Sequence, residues 1–195
     1  MREQIAKVHN RWKVATGGVV ISAYLLTGTR DEIKERAAYL LESVRFLYKR
    51  LVVPRGPSKE RRMNPFGHEA IQAVIVSAGF AAKDSVARLQ SKILNPMPLE
   101  IIAFASMAIH NALAEFVELG IRKNVNMDAN VYASKYRTYL KHVHTFSTSA
   151  KQVNCLDLQQ SLYTAGMDKL EQNLDSSGSE EMFTLGDSSP AQSVA

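Results

Sequence analysis

The chain has 195 residues, 46% hydrophobic and 22% charged, with a net charge of +5 and an isoelectric point near 9.3. That length builds one good core, and Cys155, the only cysteine, excludes an intrachain disulfide and any metal site made of several thiolates. The start, MREQIAKVHNRWKV, lacks the apolar centre of a secretory signal, and runs such as GGVVISAYLL are too short to cross a bilayer, so a soluble cytoplasmic protein is expected.

In chain order, Ile5, Val8, Trp12, Ala15, Val19, Ala23 and Leu26 recur at steps of three or four, which predicts a helix from about Glu3 to Leu26. Gly17 and Gly18 interrupt it, marking a break or a close helix contact; a strand over Val19–Leu25 is the alternative. Thr29-Arg30-Asp31-Glu32 is a capping box, and the apolar spacing through Leu40, Leu41, Val44, Leu47 and Leu51 predicts a second helix that runs on to Pro54. After a loop, His68 to Leu94 reads as a helix that is apolar on most faces. Asn95-Pro96-Met97-Pro98 ends it, and Pro98 opens an equally apolar helix, Leu99 to Ile121, expected to lie antiparallel to it. Asp128 is the expected N-cap of a helix through Tyr132, Tyr136, Tyr139 and Val143. A last helix is expected from about Leu156 to Leu174. The fold class is therefore all-α: one domain over residues 1–174, a bundle of five or six helices with two nearly all-apolar central ones. From Asp175 the composition turns to Ser, Gly, Asp and Glu, which reads as a disordered acidic tail, 175–195.

Charge is divided unevenly. Residues 1–152 hold 23 of the 24 Lys and Arg and 12 of the 19 Asp and Glu, a net +11, and the remainder carries −6. A basic body of this kind suits nucleic acid, an anionic surface or an acidic protein. Its densest part surrounds the loop Val53–Gly67, VPRGPSKERRMNPFG: Arg45, Lys49, Arg50, Arg55, Lys59, Arg61 and Arg62 lie within eighteen residues, with Glu60 the one acid after Glu42. Prolines keep such a loop extended. Lys and Arg contact phosphate oxygens as point charge and fork, and Tyr48 and Phe66 offer rings for stacking unpaired bases. A second group, Lys135, Arg137 and Lys141, interleaves with Tyr132, Tyr136 and Tyr139, residues that suit either a single strand or the edge of the core.

Within that group lies RTYLKHVH, Arg137 to His144. An Arg followed after four residues by His resembles the Arg-x4–6-His motif of HEPN-domain ribonucleases. The resemblance covers these eight residues and the helical character. It implies that Arg137 steadies a phosphate while His142 or His144 moves a proton, near a dimer interface. Thr138 departs from the polar residue usual in that family after its Arg. No Gly-rich phosphate loop, nucleophile elbow or paired-carboxylate motif is present, and neither a cofactor nor a metal site is expected. His110, inside an apolar helix, is expected to be a core histidine with a partner.

These readings combine into an expectation: a non-enzymatic, oligomeric binder of RNA or single-stranded DNA that works through phosphate contacts in the manner of a nucleocapsid or coat. The rivals are a helical scaffold for protein partners and a HEPN-like ribonuclease. The homo-oligomer is inferred from the Gly17-Gly18 apolar arm and the surplus of apolar helix surface, and the acidic tail, with its Met182-Phe183-Thr184-Leu185 cluster, is suited to fold onto a protein partner or to compete with nucleic acid for the basic body.

Overall fold

A computed structural model describes residues 2–52, 60–81, 87, 90–122, 129–149 and 152–178. Within them are six α-helices: α1 (Arg2–Ala23), α2 (Arg30–Leu41), α3 (Glu69–Gly79), α4 (Leu99–Leu119), α5 (Ala129–Thr148) and α6 (Gln152–Gly178). Two strands, β1 (Tyr48–Val52) and β2 (Arg61–Pro65), form an antiparallel hairpin, so the all-α fold carries one small sheet.

α4 is the hub. It packs chiefly on α2 and α5, and also on α1 and α3. Ile102, Ala103, Ala105, Ile109 and Leu113 are fully buried on it, because alanines alternating with branched residues let several helices approach one axis. Each large side chain buried there contributes roughly 1.5–3 kcal/mol. By length and composition α4 also meets the requirement for crossing a membrane, contrary to the expectation that no run is long enough. Yet 61% of its most apolar window is buried inside the protein. The expected antiparallel pairing with a long His68–Leu94 helix is corrected: α3 stops at Gly79, and Ser91–Leu94 is a short 3-10 turn. Pro98 sits at the N-cap of α4, one residue earlier than expected.

α1 runs unbroken through Gly17 and Gly18, so the strand alternative fails. A Cβ at Gly17 would collide with the guanidinium of Arg122, which reaches from beyond α4 and donates to the Lys13 carbonyl at 2.7 Å. Gly17 therefore serves an internal contact. Gly120 ends α4 in the left-handed region, and a Cβ there would strike the Arg30 backbone.

The second helix is shorter than expected. Thr29 and Glu32 form the capping box, with the Glu32 carboxylate accepting from the Thr29 N–H at 2.8 Å. The helix ends at Leu41, however, and Ser43 and Val44 take left-handed backbone (φ 54° each), turning the chain into β1. Apolar spacing continued across that kink because Phe46 and Leu47 are buried from a 3-10 segment instead. α6 extends to Gly178, past the expected end at Leu174, and closes the core with Cys155, Leu162 and Leu170. The expected N-cap Asp128 and the tail residues 179–195 lie outside the described residues.

Candidate nucleic-acid interface

The segment read as a cationic loop is the hairpin. Tyr48 faces Pro65, Arg50 faces Met63, Leu51 faces Arg62 and Val52 faces Arg61. At its base Asn64 and Phe66 adopt left-handed φ (53° and 59°), and the Gly67 N–H donates to the Asn64 carbonyl at 3.1 Å. This turn drives the Phe66 ring into the core beside Phe146, with ring centres 6.0 Å apart. Phe66 is thus an anchor between hairpin and α5, and the expectation that it stacks on bases is corrected. Beyond the turn, His68 caps α3 by accepting from the Ala70 N–H at 3.2 Å and stacks on Tyr24.

Glu60 organises the hairpin's charges. Its two carboxylate oxygens accept from Arg45 Nε at 2.9 Å and from Arg62 Nε at 2.8 Å. Arg45 also pairs with Glu42, donates to the Tyr39 carbonyl and lies 4.2 Å from the Tyr39 ring centre. Arg62 donates to the Ser43 carbonyl at 2.7 Å, which holds the kinked segment against the hairpin. Burial pushes the Glu60 carboxyl up, but the hydrogen bonds and charges of Arg45 and Arg62 outweigh it and hold the pKa below the ordinary 4.5. Arg45 and Arg62, both expected to hold phosphate, are therefore engaged in a structural clamp. Their side chains are only 14% and 29% exposed.

The other cations divide clearly. Lys49, Arg50 and Arg61 are exposed on the hairpin, and Arg137 and Lys141 are exposed on α5. Arg55 and Lys59 lie outside the described residues. Lys135 is half-buried, 3.4 Å from Asn111 Oδ1, and desolvation lowers its pKa. It flanks a buried pair, His110 Nδ1 and Tyr139 Oη, 2.7 Å apart. Desolvation, helped by the charge of Lys135, pushes the His110 pKa down to about 4. His110 is thus a core histidine with a partner, and Tyr139 is buried, while Tyr132 and Tyr136 are half-buried against the core. Of the two roles open to these tyrosines, packing at the core is the one the structure shows.

The hairpin base and the C-terminal half of α5 enclose a groove of about 560 Å³. Tyr48, Arg62 and Phe66 line one wall, and His142, Thr145 and Ser149 the other. Lys141 precedes Thr145 by one turn on α5 and is exposed, but it is not among the residues that line this groove. On the far side of Phe146 a second groove, about 360 Å³, is lined by Lys49, Asn64 and Gln72 and by Asn154, Asp157 and Ser161 of α6. Arg137 and His142 are five positions apart on α5, so roughly 140° separates them around the helix axis. Of the motif that resembles the HEPN pattern, His142 lines the groove with Arg62 opposite, and Arg137 does not line it. Among the described residues no group of three or more His, Cys, Asp or Glu is placed to hold a metal ion.

Sequence reading missed Glu60, Thr145 and Ser149. Glu60 had a signal: a single acid inside a dense basic stretch is the natural counter-charge for its neighbours. The hydroxyl residues had none, since Ser and Thr on a helix are ordinary.

The arrangement is that of a mostly helical domain with a cationic hairpin braced against its fifth helix. The chain belongs to the DUF6532 family, a domain of unknown function, whose model matches residues 1–146. No curated protein and no solved structure matches it. The match ends inside α5, although α6 beyond it completes the core.

Proposed function

We propose that this domain binds single-stranded nucleic acid, without catalysing a reaction, through phosphate contacts from the hairpin and the adjoining face of α5. One observation supports it above the others: the hairpin and α5, far apart in sequence and each bearing exposed cations, form the two walls of one groove, whose own lining carries Arg62 alone among Lys and Arg. Five exposed cations, Lys49, Arg50, Arg61, Arg137 and Lys141, stand on the two elements. Contacts of this kind give affinity and little base readout. The half-buried Tyr48 in the groove wall is the ring placed for stacking.

Binding of a labelled random oligonucleotide, followed by anisotropy across a salt series, tests the reading. Five contacts to a single strand give a slope of log K against log salt approaching about −3.5. Reversing Lys49, Arg50 and Arg61 together to Glu should flatten that slope and weaken binding by tenfold or more, on the order of 1.4 kcal/mol. No binding at low salt overturns the proposal and leaves a scaffold for an acidic protein. RNA cleavage that His142→Ala abolishes moves the function to a ribonuclease.

An oligomer would multiply such contacts along one strand. The surface that suits it is the outer face of α1, where Val14 and Ile21 are exposed and a Cβ on Gly18 would meet nothing within 4 Å, with Leu25 exposed just past the helix end. No charged residue occurs from Val14 to Thr29. Ile21→Glu should convert any larger species seen by size exclusion into monomer; an unchanged elution volume rejects this face.

A further inference from the structure

At the C-terminal end of α3 lies a pocket of about 320 Å³ that shares no lining residue with the groove beside the hairpin. Trp12, Ile75, Phe80 and Phe104 form its walls, and Arg11, Glu100 and Tyr136 bring the polar groups. Its size sits at the low end of the range that small organic groups occupy, about 300–1,000 Å³. An apolar, ring-lined hollow of this size suits one aromatic side chain with an aliphatic neighbour.

The path of the chain points to an occupant. α6 runs alongside α3: Gly166 packs under Phe80, and Asn173 Nδ2 donates to the Ala81 carbonyl at 3.2 Å. The end of α6 therefore leaves the domain beside this pocket. Gly178 lies five residues beyond Asn173, about 7.5 Å along a helix. Phe183 lies five residues further, up to about 17 Å of extended chain. Residues 179–195 hold one apolar cluster, Met182-Phe183-Thr184-Leu185, directly after Glu180-Glu181. From Asp175 to Asp187 the chain carries four acids and no base, against the net +11 of residues 1–152. The exposed Lys92, on the 3-10 turn that supplies Leu94, offers matching charge, while Arg11, which also lines the pocket, already has a partner.

We propose that the pocket between α1, α3 and α4 is the docking site for the chain's own segment Glu180–Leu185, with Phe183 seated against Trp12 and the two glutamates turned toward Lys92. The contact is intramolecular. It gives the domain an apolar peptide site that a partner carrying a similar acidic-aromatic segment would have to win from the tail.

Trp12 is the only tryptophan in the chain and lines the pocket, so its fluorescence reads occupancy directly. In the full-length protein, Phe183→Ala should shift Trp12 emission to the red and raise its quenching by acrylamide. A synthetic peptide of residues 176–190, added to that variant, should reverse both changes at about millimolar concentration, the level a short tether supplies. Gly79→Leu places a side chain at a pocket-lining position where a Cβ meets open space. It should make emission indifferent to residue 183. Identical spectra and quenching for wild type and Phe183→Ala overturn the proposal. So does a Phe183 effect that vanishes on dilution, which assigns the site to a second copy, or a pocket that takes up an apolar dye equally with and without Phe183.

Discussion

The hairpin and the seam between α4 and α5 both carry basic residues that composition counts alike, yet the fold treats them differently. On the hairpin, Glu60 ties Arg45 and Arg62 together, and the charge is kept but balanced. At the seam, His110 is kept neutral by burial, helped by the charge of Lys135, and Lys135 itself is half-buried beside the Asn111 amide. A cation that sits near a carboxylate can be held charged at little cost; one that sits near apolar walls is pushed toward its neutral form. The cations left for a polyanion are those that neither device has taken.

The seam offers the largest effect. His110 titrates at about 4 in the folded chain, against 6.5 when exposed. The unfolded chain therefore binds the extra proton first, and stability falls as pH drops from 6.5 toward 4. Urea unfolding at pH 7.5 and pH 5 should differ by about 2 kcal/mol from this group. Burial of His68 acts in the same direction. His110→Phe should remove most of the difference; an unchanged pH dependence refutes the assignment.

Breaking the hairpin clamp is the next largest. Glu60→Gln leaves two guanidiniums without their carboxylate and should cost about 1–2 kcal/mol in thermal or urea unfolding. Because the Glu60 pKa is lowered, its contribution is present above the ordinary carboxylate range and is lost as pH falls below it. Acid titration of wild type and variant should therefore converge at low pH. If the variant is as stable as wild type at neutral pH, the clamp is ornamental and Arg45 and Arg62 return to the set of free cations.

The smallest effect sharpens the contrast. Lys135→Met removes a half-desolvated charge that has no acid beside it among the described residues, and stability should stay within about 0.5 kcal/mol of wild type or rise slightly. It also removes a positive neighbour of His110, so the His110 pKa should rise and the loss of stability toward pH 5 should shrink. A shift in the opposite direction, read by NMR titration of the imidazole, would contradict the seam as described.

Much of the fold was legible before any coordinates. The apolar faces of α4 announced a central helix, the Thr29–Glu32 box marked the start of α2, and His110 within an apolar stretch foretold a buried partner. These are local or periodic signals, because backbone capping and one-dimensional burial patterns are written into neighbouring residues. The hairpin was not legible. Leu47 and Leu51 kept helical spacing, and only the left-handed Ser43 and Val44, held by Arg62 on the Ser43 carbonyl, turn the chain away from the helix.

Sequence by itself determined a helical domain, its division into basic body and acidic end, and the residue types available to meet a phosphate. Tertiary structure alone decided which of those charges remain exposed, that Gly17 makes room for Arg122, and that the hairpin and α5 line the two sides of one groove. The reason is that pairing, close approach and desolvation depend on distances between residues remote in the chain, and no local pattern encodes such distances.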